Sequence, residues 1–466
     1  MNPEWKLLSK SWAKGDKAGN SRTLFTVLDF NDGRETFMST LVILLVSLIL
    51  ILVTFGTVYL TDIEIFSPST WTLSPNYQPD PKKPWPPLQQ DDGYGKIYDA
   101  ELELDTGIPV KVIGLVFFGR RELVEVLDCY LQRNLKANGG LLDEVIFVVH
   151  TDIQEDLDYL ETLVPRRAEY SKYEVKGTYR WLAGSWEPVT DPDAVYVKID
   201  DDVIYFSDNA ISSVVKRITD NPHSFAVSAN VVNNPALSWV HSHMGVYYPY
   251  WPEMKKPWRS PPASSWRASE LPPYKGPKSG PKNFAIDGST PAPFQNHRWL
   301  PVPLPEGEST YDMSDYPVST STYDAHGPSL NNWALAAQVH YSFLQHLEQN
   351  DTHRYKFDVW DYAYDRLSIN FIAIRGRDVM DCFPFPQHDD EDYLTVKRPK
   401  ELGRRVVMDG TGIAVHYAFG PQYKAHDHHG LADTDLLLRY KAYAEEMVCG
   451  KPREGVLTPP GGQGDV

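Results

Sequence analysis

Three consecutive aspartates, Asp200, Asp201 and Asp202, interrupt an apolar stretch that runs from residue 196 to residue 206. The flanking runs are rich in β-branched and aromatic residues, and short runs of that kind predict buried strands. Like charges near a core are unfavourable unless a positive charge neutralises them, and carboxylate oxygens suit Mg²⁺ or Mn²⁺. Because side chains alternate along an extended backbone, Asp200 and Asp202 would point to the same side. The stretch therefore predicts a divalent-metal site at the end of a strand.

A solvated turn is the alternative interpretation of the triplet, because Asp is a common turn residue. Its position favours chemistry instead, since the triplet ends an apolar strand and ligands of open α/β sheets bind outside the carboxyl ends of strands. A metal held there could bridge a diphosphate and stabilise it as a leaving group.

Length and composition exclude some classes of protein. The chain has 466 residues, enough for one large domain or two moderate ones. Its formal net charge of −17 argues against a partner made of nucleic acid, because proteins that bind nucleic acid usually present a basic surface. Three cysteines, Cys129, Cys382 and Cys449, are too few for a disulfide framework, and the count leaves open one bridge with a free thiol.

A long uncharged segment near the N-terminus predicts a membrane anchor. Residues 37–60 carry no charged side chain, and a helix of that length would extend about 36 Å, enough to cross a bilayer core of about 30 Å. A cleaved signal peptide would have a shorter apolar region of about 7–15 residues. Basic residues precede the segment and none occurs from residue 61 to residue 80. The positive-inside rule therefore predicts that residues 1–36 form a cytoplasmic tail and that the chain continues across the membrane.

Composition divides the rest of the chain. Residues 61–97 hold seven prolines between positions 68 and 87 and predict an extended stem, whereas the Pro/Gly-rich residues 450–466 predict a disordered tail. A folded domain is expected over residues 98–449, with a sequon at Asn350 that could be glycosylated in a lumenal compartment. Within it, residues 249–328 contain 16 of the 37 prolines and four tryptophans. This insertion is either an aromatic-lined acceptor lobe or an excursion that serves packing alone.

Apolar patterns alternate between two periods in the folded domain. Runs at 110–118, 144–149 and 225–232 predict strands. Apolar residues spaced three or four apart predict intervening helices that begin near Leu123, Leu157 and Ile211, and a later helix over residues 332–348. The alternation predicts an α/β domain with a mostly parallel sheet that helices cover on both faces.

The single anchor, the Pro-rich stem and an α/β domain with the run Lys198-Ile-Asp-Asp-Asp202 resemble a type II Golgi glycosyltransferase of the GT-A fold, over roughly residues 106–445. The resemblance implies a Rossmann-type sheet and transfer of a sugar from a nucleotide-sugar donor to a glycan, glycoprotein or glycolipid acceptor. It also implies a single-pass protein of the Golgi or ER membrane with a lumenal catalytic domain. In that family an Asp-x-Asp motif binds Mn²⁺ (or Mg²⁺) and the donor diphosphate, and here Asp200 and Asp202 occupy the motif around Asp201.

The resemblance also implies residues around the donor and the metal. The residues expected to line the nucleotide pocket follow the first two strands: Phe118, Gly119, Arg120 and Asp152. His416, in an apolar strand near the end of the domain, is expected to complete the metal site, and a core histidine satisfied by hydrogen bonds is the alternative. The polar cluster of His426, His428 and His429 is interpreted as a solvated loop.

An acid at the start of a helix serves as general base in inverting members of the family. Asp365 is the candidate, because the following residues 366–375 could be helical, although Asp would serve equally as a helix N-cap there. Asp361 and the acidic run 389–392 compete for this role, and the run is expected to be a solvated turn. A retaining mechanism would need no such base.

Two other classes of function stay open. A nucleotidyltransferase of similar fold would also use paired aspartates and a metal, although the anchor and stem argue against it. An anchored, non-catalytic glycan-binding or scaffolding protein is the other alternative, and the intact aspartate triplet argues against it.

Overall fold

The computed structural model describes residues 110–175, 182–257, 265–386, 390–424 and 430–450. The expected cytoplasmic tail, anchor and stem lie outside the described residues, as do residues 451–466 and the three histidines of the cluster at 426–429. Within the described ranges, no helix combines the length and the hydropathy that a bilayer crossing requires.

A nine-stranded sheet forms the centre of the domain, and a two-stranded antiparallel sheet lies in the insertion. The strand order in the large sheet is β3-β2-β1-β4-β10-β6-β11-β5, with β9 also paired to β11. The strands found among the described residues are β1 Val112–Phe118, β2 Glu144–Val149, β3 Tyr170–Glu174, β4 Val195–Asp200, β5 Val203–Phe206, β6 Ser224–Val232, β7 Tyr250–Pro252, β8 Trp299–Pro301, β9 Val359–Asp361, β10 Phe371–Arg375 and β11 Arg405–His416.

The expectation of a mostly parallel sheet holds for one half of it. Strands β3, β2, β1 and β4 are parallel neighbours, in the order typical of a Rossmann-type sheet. Strand β10 then runs antiparallel to both β4 and β6, and β5 and β9 run antiparallel to β11. The sheet is therefore mixed. The prediction of a helix within residues 366–375 was wrong, because Phe371–Arg375 forms strand β10. This strand is a short, buried apolar run, and periodicity alone does not distinguish such a strand from a buried helix.

Helices flank the sheet, and those expected near Leu123, Leu157 and Ile211 are confirmed. The α-helices found among the described residues are α1 Arg121–Asn134, α2 Gln154–Leu163, α3 Ala210–Asp220, α4 Pro235–His243, α5 Pro328–Asn331, α6 Trp333–Gln349, α7 Gly376–Met380, α8 Arg398–Leu402, α9 Gly420–Tyr423 and α10 Leu436–Met447. The helix expected over residues 332–348 is α6, whose N-terminus is capped because the Asn332 side chain accepts hydrogen bonds from the backbone of Ala334 and Leu335.

The described part of the insertion packs around its tryptophans. Trp251, Trp266 and Trp299 are at most 4% exposed. Strands β7 and β8 pair antiparallel, and the Trp299 ring contacts Trp333 of α6 edge-on, with ring centroids 6.0 Å apart. These rings bury apolar surface instead of lining an exposed aromatic face, so they stabilise the insertion against the domain.

A disulfide joins Cys129 in α1 to Cys449, which follows α10. Cys382 is a buried free thiol. The possibility of one bridge with a free thiol is therefore realised, and the bridge ties the C-terminal helix region to the first helix of the domain.

Candidate functional site

The main cleft of the domain, with a volume of about 790 Å³, lies where β1, β4 and β11 end. All three residues of the acidic triplet line it, together with Gly119, Arg120 and His416. Residues 366–370 and 390–392 form another part of its wall, and the lining as a whole comes from seven separate segments of the chain.

Asp201 anchors the loop that follows β1. Its carboxylate accepts a hydrogen bond from the Gly119 backbone at 2.9 Å and another from Arg120 Nε at 3.2 Å. A Cβ atom on residue 119 would lie 3.2 Å from Asp201 Oδ2, so a side chain there would press on this carboxylate. Burial raises the pKa of Asp201, and the Arg120 guanidinium opposes that shift. The middle aspartate therefore holds the loop and its arginine in place.

Asp202 lies between two cationic or polar neighbours. Arg120 Nη2 is 2.9 Å from its Oδ2 atom, and His416 Nε2 is 3.1 Å from its Oδ1 atom. Burial alone would raise the pKa of this carboxyl, but His416 and Arg120 outweigh burial and hold the pKa below its ordinary value. Asp202 is therefore ionised at neutral pH.

Asp200, Asp202 and His416 have the geometry of a metal site. Each offers one ligand atom, and these atoms lie within 4.8 Å of one another. Asp202 Oδ1 is buried and faces His416 Nε2 at 3.1 Å, whereas His416 Nδ1 is buried and forms no hydrogen bond with any described residue. Two carboxylates and an imidazole are ordinary ligands for Mn²⁺, and buried polar atoms are seldom left without partners. The residues present therefore fit a divalent cation.

Asp200 is also engaged by the protein. Lys198, a buried side chain on the same strand, donates to Asp200 Oδ1 and, at 2.7 Å, to the backbone oxygen of Ile369. Asn370 Nδ2 donates to Asp200 Oδ2 at 3.1 Å. Because a carboxylate has about four lone-pair positions, these bonds orient Asp200 without exhausting its capacity as a ligand.

His416 is placed by the last strand of the sheet. It is the final residue of β11, and its ring packs on Phe419 with centroids 4.2 Å apart. The backbone of Tyr417 donates to the carbonyl oxygen of Asp202 at 2.8 Å, which ties this strand end to the acidic turn. Nε2 of His416 faces Asp202, and its Nδ1 is not paired with a described residue.

The acidic run after residue 389 forms part of the cleft, and the expectation of a solvated turn was wrong for Asp390, which is buried. Asp390 is 3% exposed and accepts a hydrogen bond from Trp186 Nε1 at 3.2 Å. Arg366 bonds Glu391 Oε2 at 2.8 Å, and its Nε atom lies 2.8 Å from Asp392 Oδ1. Polarity along the sequence did not reveal this burial, because the segment is enclosed by chain that is distant in sequence.

Glu391 has the properties of a general base. Burial raises its pKa to about 7, although the nearby Arg366 lowers it. Its Oε1 atom is buried and forms no hydrogen bond with a described residue. A carboxyl with a pKa near the working pH suits general acid–base catalysis.

The two acids assigned from the sequence as catalytic residues lie away from the cleft. Asp361 ends β9, is exposed, and lies 3.7 Å from Arg405 Nε. Asp365 is exposed in the connection between β9 and β10, and its backbone donates to the carbonyl oxygen of Tyr362. Neither residue lines the cleft. The helix that Asp365 was expected to open is strand β10, so the geometric basis for that assignment is absent.

Two residues expected around the nucleotide also lie elsewhere. The Phe118 ring is fully buried against Phe147, and Phe117 lines the cleft in its place, because neighbouring strand residues point to opposite faces. Asp152 is exposed and does not line the cleft. His150, the residue directly after β2, does so instead.

His150 is a cleft residue that the sequence analysis missed. Its Nε2 atom bonds the Ser185 hydroxyl, and its ring lies 5.3 Å from that of Phe117. Burial and the charge of Lys198 together lower the pKa of His150 to about 4, so the imidazole is neutral at neutral pH. Its position at the carboxyl end of a parallel strand is the signal that could have identified it.

The insertion contributes His326 to the cleft. This exposed residue lies shortly before α5, and its backbone donates to the Asp324 carboxylate at 2.8 Å. The insertion therefore packs against the domain through its buried tryptophans and also places one residue in the cleft lining.

Neither the protein-family models nor the proteins of curated function match this chain. Among solved structures, GalNAc-T7 with UDP, GalNAc and Mn²⁺ is 10% identical with a TM-score of 0.33, over 67% of this chain and 44% of that one. A 4-diphosphocytidyl-2C-methyl-D-erythritol synthase from Anaerococcus prevotii is 14% identical with a TM-score of 0.20, over 26% of this chain and 54% of that one. A second structure of that synthase is 15% identical with a TM-score of 0.20, over 26% and 61%. The chain thus spans about half of the length of these solved chains, and the chemistry of its cleft rests on its own geometry.

Proposed function

We propose that this chain is a metal-dependent glycosyltransferase that moves a sugar from a nucleotide-sugar donor to a glycan, protein or lipid acceptor. The observation that carries the proposal is the group of Asp200, Asp202 and His416, whose ligand atoms converge in the main cleft beyond the carboxyl end of β4. Mn²⁺ or Mg²⁺ bound there would bridge the donor diphosphate and stabilise it as a leaving group.

The protein's own residues prepare the donor side of the cleft. Arg120 pairs with Asp201 and Asp202, which lets two adjacent carboxylates stay in a buried turn. Lys198 is buried and forms an ion pair with Asp200, so its charge neutralises that carboxylate. These three ion pairs fix the carboxylates in position before a donor arrives, and such preorganisation lowers the cost of binding.

Glu391 is the group that we assign to the acceptor. Its Oε1 atom, which forms no hydrogen bond with a described residue, would accept the proton of an acceptor hydroxyl, and Arg366 on its other oxygen would hold the carboxylate in orientation. A base that activates the acceptor for direct attack on the donor sugar implies inversion at the anomeric carbon. Asp390 and Asp392 flank this residue and supply further acceptors for sugar hydroxyls.

A panel of nucleotide sugars, offered with Mn²⁺ and mixed glycan acceptors to the full-length protein in detergent, tests the function. A glycosyltransferase releases the nucleoside diphosphate and yields a longer glycan. A nucleotidyltransferase, the alternative that also uses paired aspartates and a metal, would instead join a nucleoside triphosphate to a sugar phosphate and release pyrophosphate. Glycan binding without either product would favour the non-catalytic scaffold and remove the enzymatic proposal.

We further propose a single-pass type II protein of the Golgi or ER membrane, with residues 98–449 in the lumen. The uncharged segment 37–60 supports the anchor, and the Cys129–Cys449 disulfide supports an oxidising compartment. The sequon residue Asn350 is exposed at the end of α6, where a glycan could be attached. Protease added to sealed microsomes should spare the folded domain, and Asn350→Gln should remove one glycan from the protein. Digestion of the domain would show that the orientation is wrong.

A further inference from the structure

Two buried amide side chains, Asn233 and Gln422, lie behind the loop that carries His416. Gln422 Nε2 donates to Asn233 Oδ1 at 3.1 Å, and Asn233 Nδ2 donates back to Gln422 Oε1 at 3.0 Å. Both residues are fully buried. Reciprocal bonds of this kind between buried groups are costly to break, because either partner alone would be left unsatisfied.

The amide pair holds the backbone of the candidate metal ligand. Asn233 Nδ2 lies 3.1 Å from the carbonyl oxygen of His416 and 3.0 Å from that of Tyr417. Gln422 Oε1 accepts from the Phe419 backbone at 3.0 Å, and the Phe419 ring packs on the imidazole. The loop from residue 416 to residue 419 is therefore bonded at both of its ends to one buried pair.

The same pair reaches the insertion. Gln422 Nε2 donates to the carbonyl oxygen of Ser329, in α5, at 2.5 Å. His326, which lines the cleft, lies three residues before Ser329 in the segment that leads into this helix. One side chain thus connects the metal-ligand loop with the segment through which the insertion enters the cleft.

The backbone of Asn233 is unusual in a way that fits this role. Its φ angle is +62°, in the left-handed region that residues other than glycine seldom adopt. Asn tolerates this region better than most side chains, so the position combines an uncommon backbone with a particular amide.

We propose that the Asn233–Gln422 pair positions the metal ligand His416 and fixes the segment that carries His326 against it. The inference rests on the proposed metal-dependent function and goes beyond it by naming residues that touch neither metal nor substrate. They act through the backbone of His416 and Tyr417. Loss of such an outer partner typically weakens metal binding by about 10–100-fold.

Gln422→Met tests the proposal, because methionine has similar length and no amide. The matched control is Gln338→Met, in α6, where an equally buried amide accepts from the Val318 backbone at 3.0 Å and donates to the Tyr248 carbonyl at 3.1 Å. The affinity of the full-length protein in detergent for Mn²⁺ alone is measured from the loss of the free-ion electron paramagnetic resonance signal. Gln422→Met should weaken binding by about 10–100-fold, and Gln338→Met by less than about twofold.

Asn233→Gly is the second variant, because glycine adopts the φ angle of this position readily and the change removes the amide. Asn233→Gly should also weaken Mn²⁺ binding by about 10–100-fold. If Gln422→Met does not fold, this variant alone tests the positioning role. Wild-type affinity in the folded variants would overturn the positioning role. Equal weakening in Gln338→Met would also overturn it, because the effect would then reflect general destabilisation. A wild-type protein that binds no Mn²⁺ would remove the proposed function itself, and the positioning role with it.

Discussion

Oδ1 of Asp202 lies 3.1 Å from Nε2 of His416, across the junction between the acidic turn and the end of β11. The register of the sheet produces this contact, because His416 is paired with Val203 where β11 runs antiparallel to β5. A shift of one residue in that register would turn the imidazole to the other face of the sheet. The candidate metal site therefore depends on strand pairing as much as on the identity of its ligands.

Replacement of Asp202 by asparagine should separate metal-dependent from metal-independent nucleotide binding. The change keeps the shape of the side chain and removes a ligand charge, so binding of UDP or GDP in the presence of Mn²⁺ should weaken by at least about tenfold, within the range typical of changes near a metal. In the presence of a chelator, wild type and variant should bind the nucleotide equally. Calorimetric titration under both conditions measures the difference.

The control for that experiment is Asp208→Asn, which removes the same charge from a residue that is bonded to Arg133 at 2.7 Å and does not line the cleft. It should retain the wild-type response to Mn²⁺. Equal nucleotide affinity of Asp202→Asn and wild type with Mn²⁺ present would remove the metal from the donor site.

Replacement of Glu391 by glutamine should lower kcat by about 10²–10⁴-fold, the usual contribution of a general base, and leave binding of Mn²⁺ and nucleotide intact. Burial raises the pKa of Glu391 to about 7, and only the ionised carboxylate accepts a proton. The wild-type rate should therefore rise with pH through about 7, and the variant should lose this rise. The exposed Glu401, whose partner is Arg398, provides the control substitution Glu401→Gln. A pH profile that is unchanged in Glu391→Gln would exclude this residue as the base.

Removal of a buried imidazole should change how stability depends on pH. His241 is fully buried and its Nε2 atom bonds Asn230 Oδ1 at 2.8 Å. Burial lowers its pKa to about 3, whereas the unfolded chain has the ordinary value near 6.5, so the unfolded state binds the extra proton between these values. The stability due to neutral His241 is complete above pH 6.5 and declines as the pH falls toward 3, by about 1.4 kcal/mol per pH unit.

The variant His241→Gln lacks this proton linkage. The difference between its free energy of unfolding and that of wild type should be constant above pH 7. From pH 6 down to pH 4, this difference should shift in favour of the variant by about 1.4 kcal/mol for each unit that the pH falls. Chemical denaturation followed by tryptophan fluorescence measures both quantities. Parallel pH curves for the two proteins would mean that His241 is protonated in the native state.

Loss of the disulfide should destabilise the domain. Cys129→Ser should lower the free energy of unfolding by about 2–5 kcal/mol, because the bridge closes a very long loop and restricts the unfolded chain. Cys382→Ala, which alters the buried free thiol, is the control and should leave the response to reductant unchanged. Wild type should move toward the stability of Cys129→Ser when dithiothreitol is added. Identical unfolding of the oxidised wild type and Cys129→Ser would show that the bridge contributes nothing.

Local patterns in the sequence were sufficient for several parts of this protein. The apolar runs around Asp200 predict strands because alternation and side-chain shape act within a few residues, and β4 and β5 confirm them. Helix α6 was placed to within one residue by its apolar spacing. The triplet itself indicated a cation, because three adjacent carboxylates near a core require compensating charge whatever the fold.

Other features were decided only by contacts between distant segments. The polar sequence around Glu391 predicts a solvated acid. In the structure Glu391 became a candidate base because Arg366 and the cleft enclose it. The short apolar run of β10 is compatible with either a buried helix or a strand, and its place between β4 and β6 made it a strand. The partner of Cys129 could not be chosen from three cysteines until α1 and α10 were packed together. Periodicity reports on a few neighbouring residues, whereas burial, pairing and pKa depend on what the rest of the chain brings close in space.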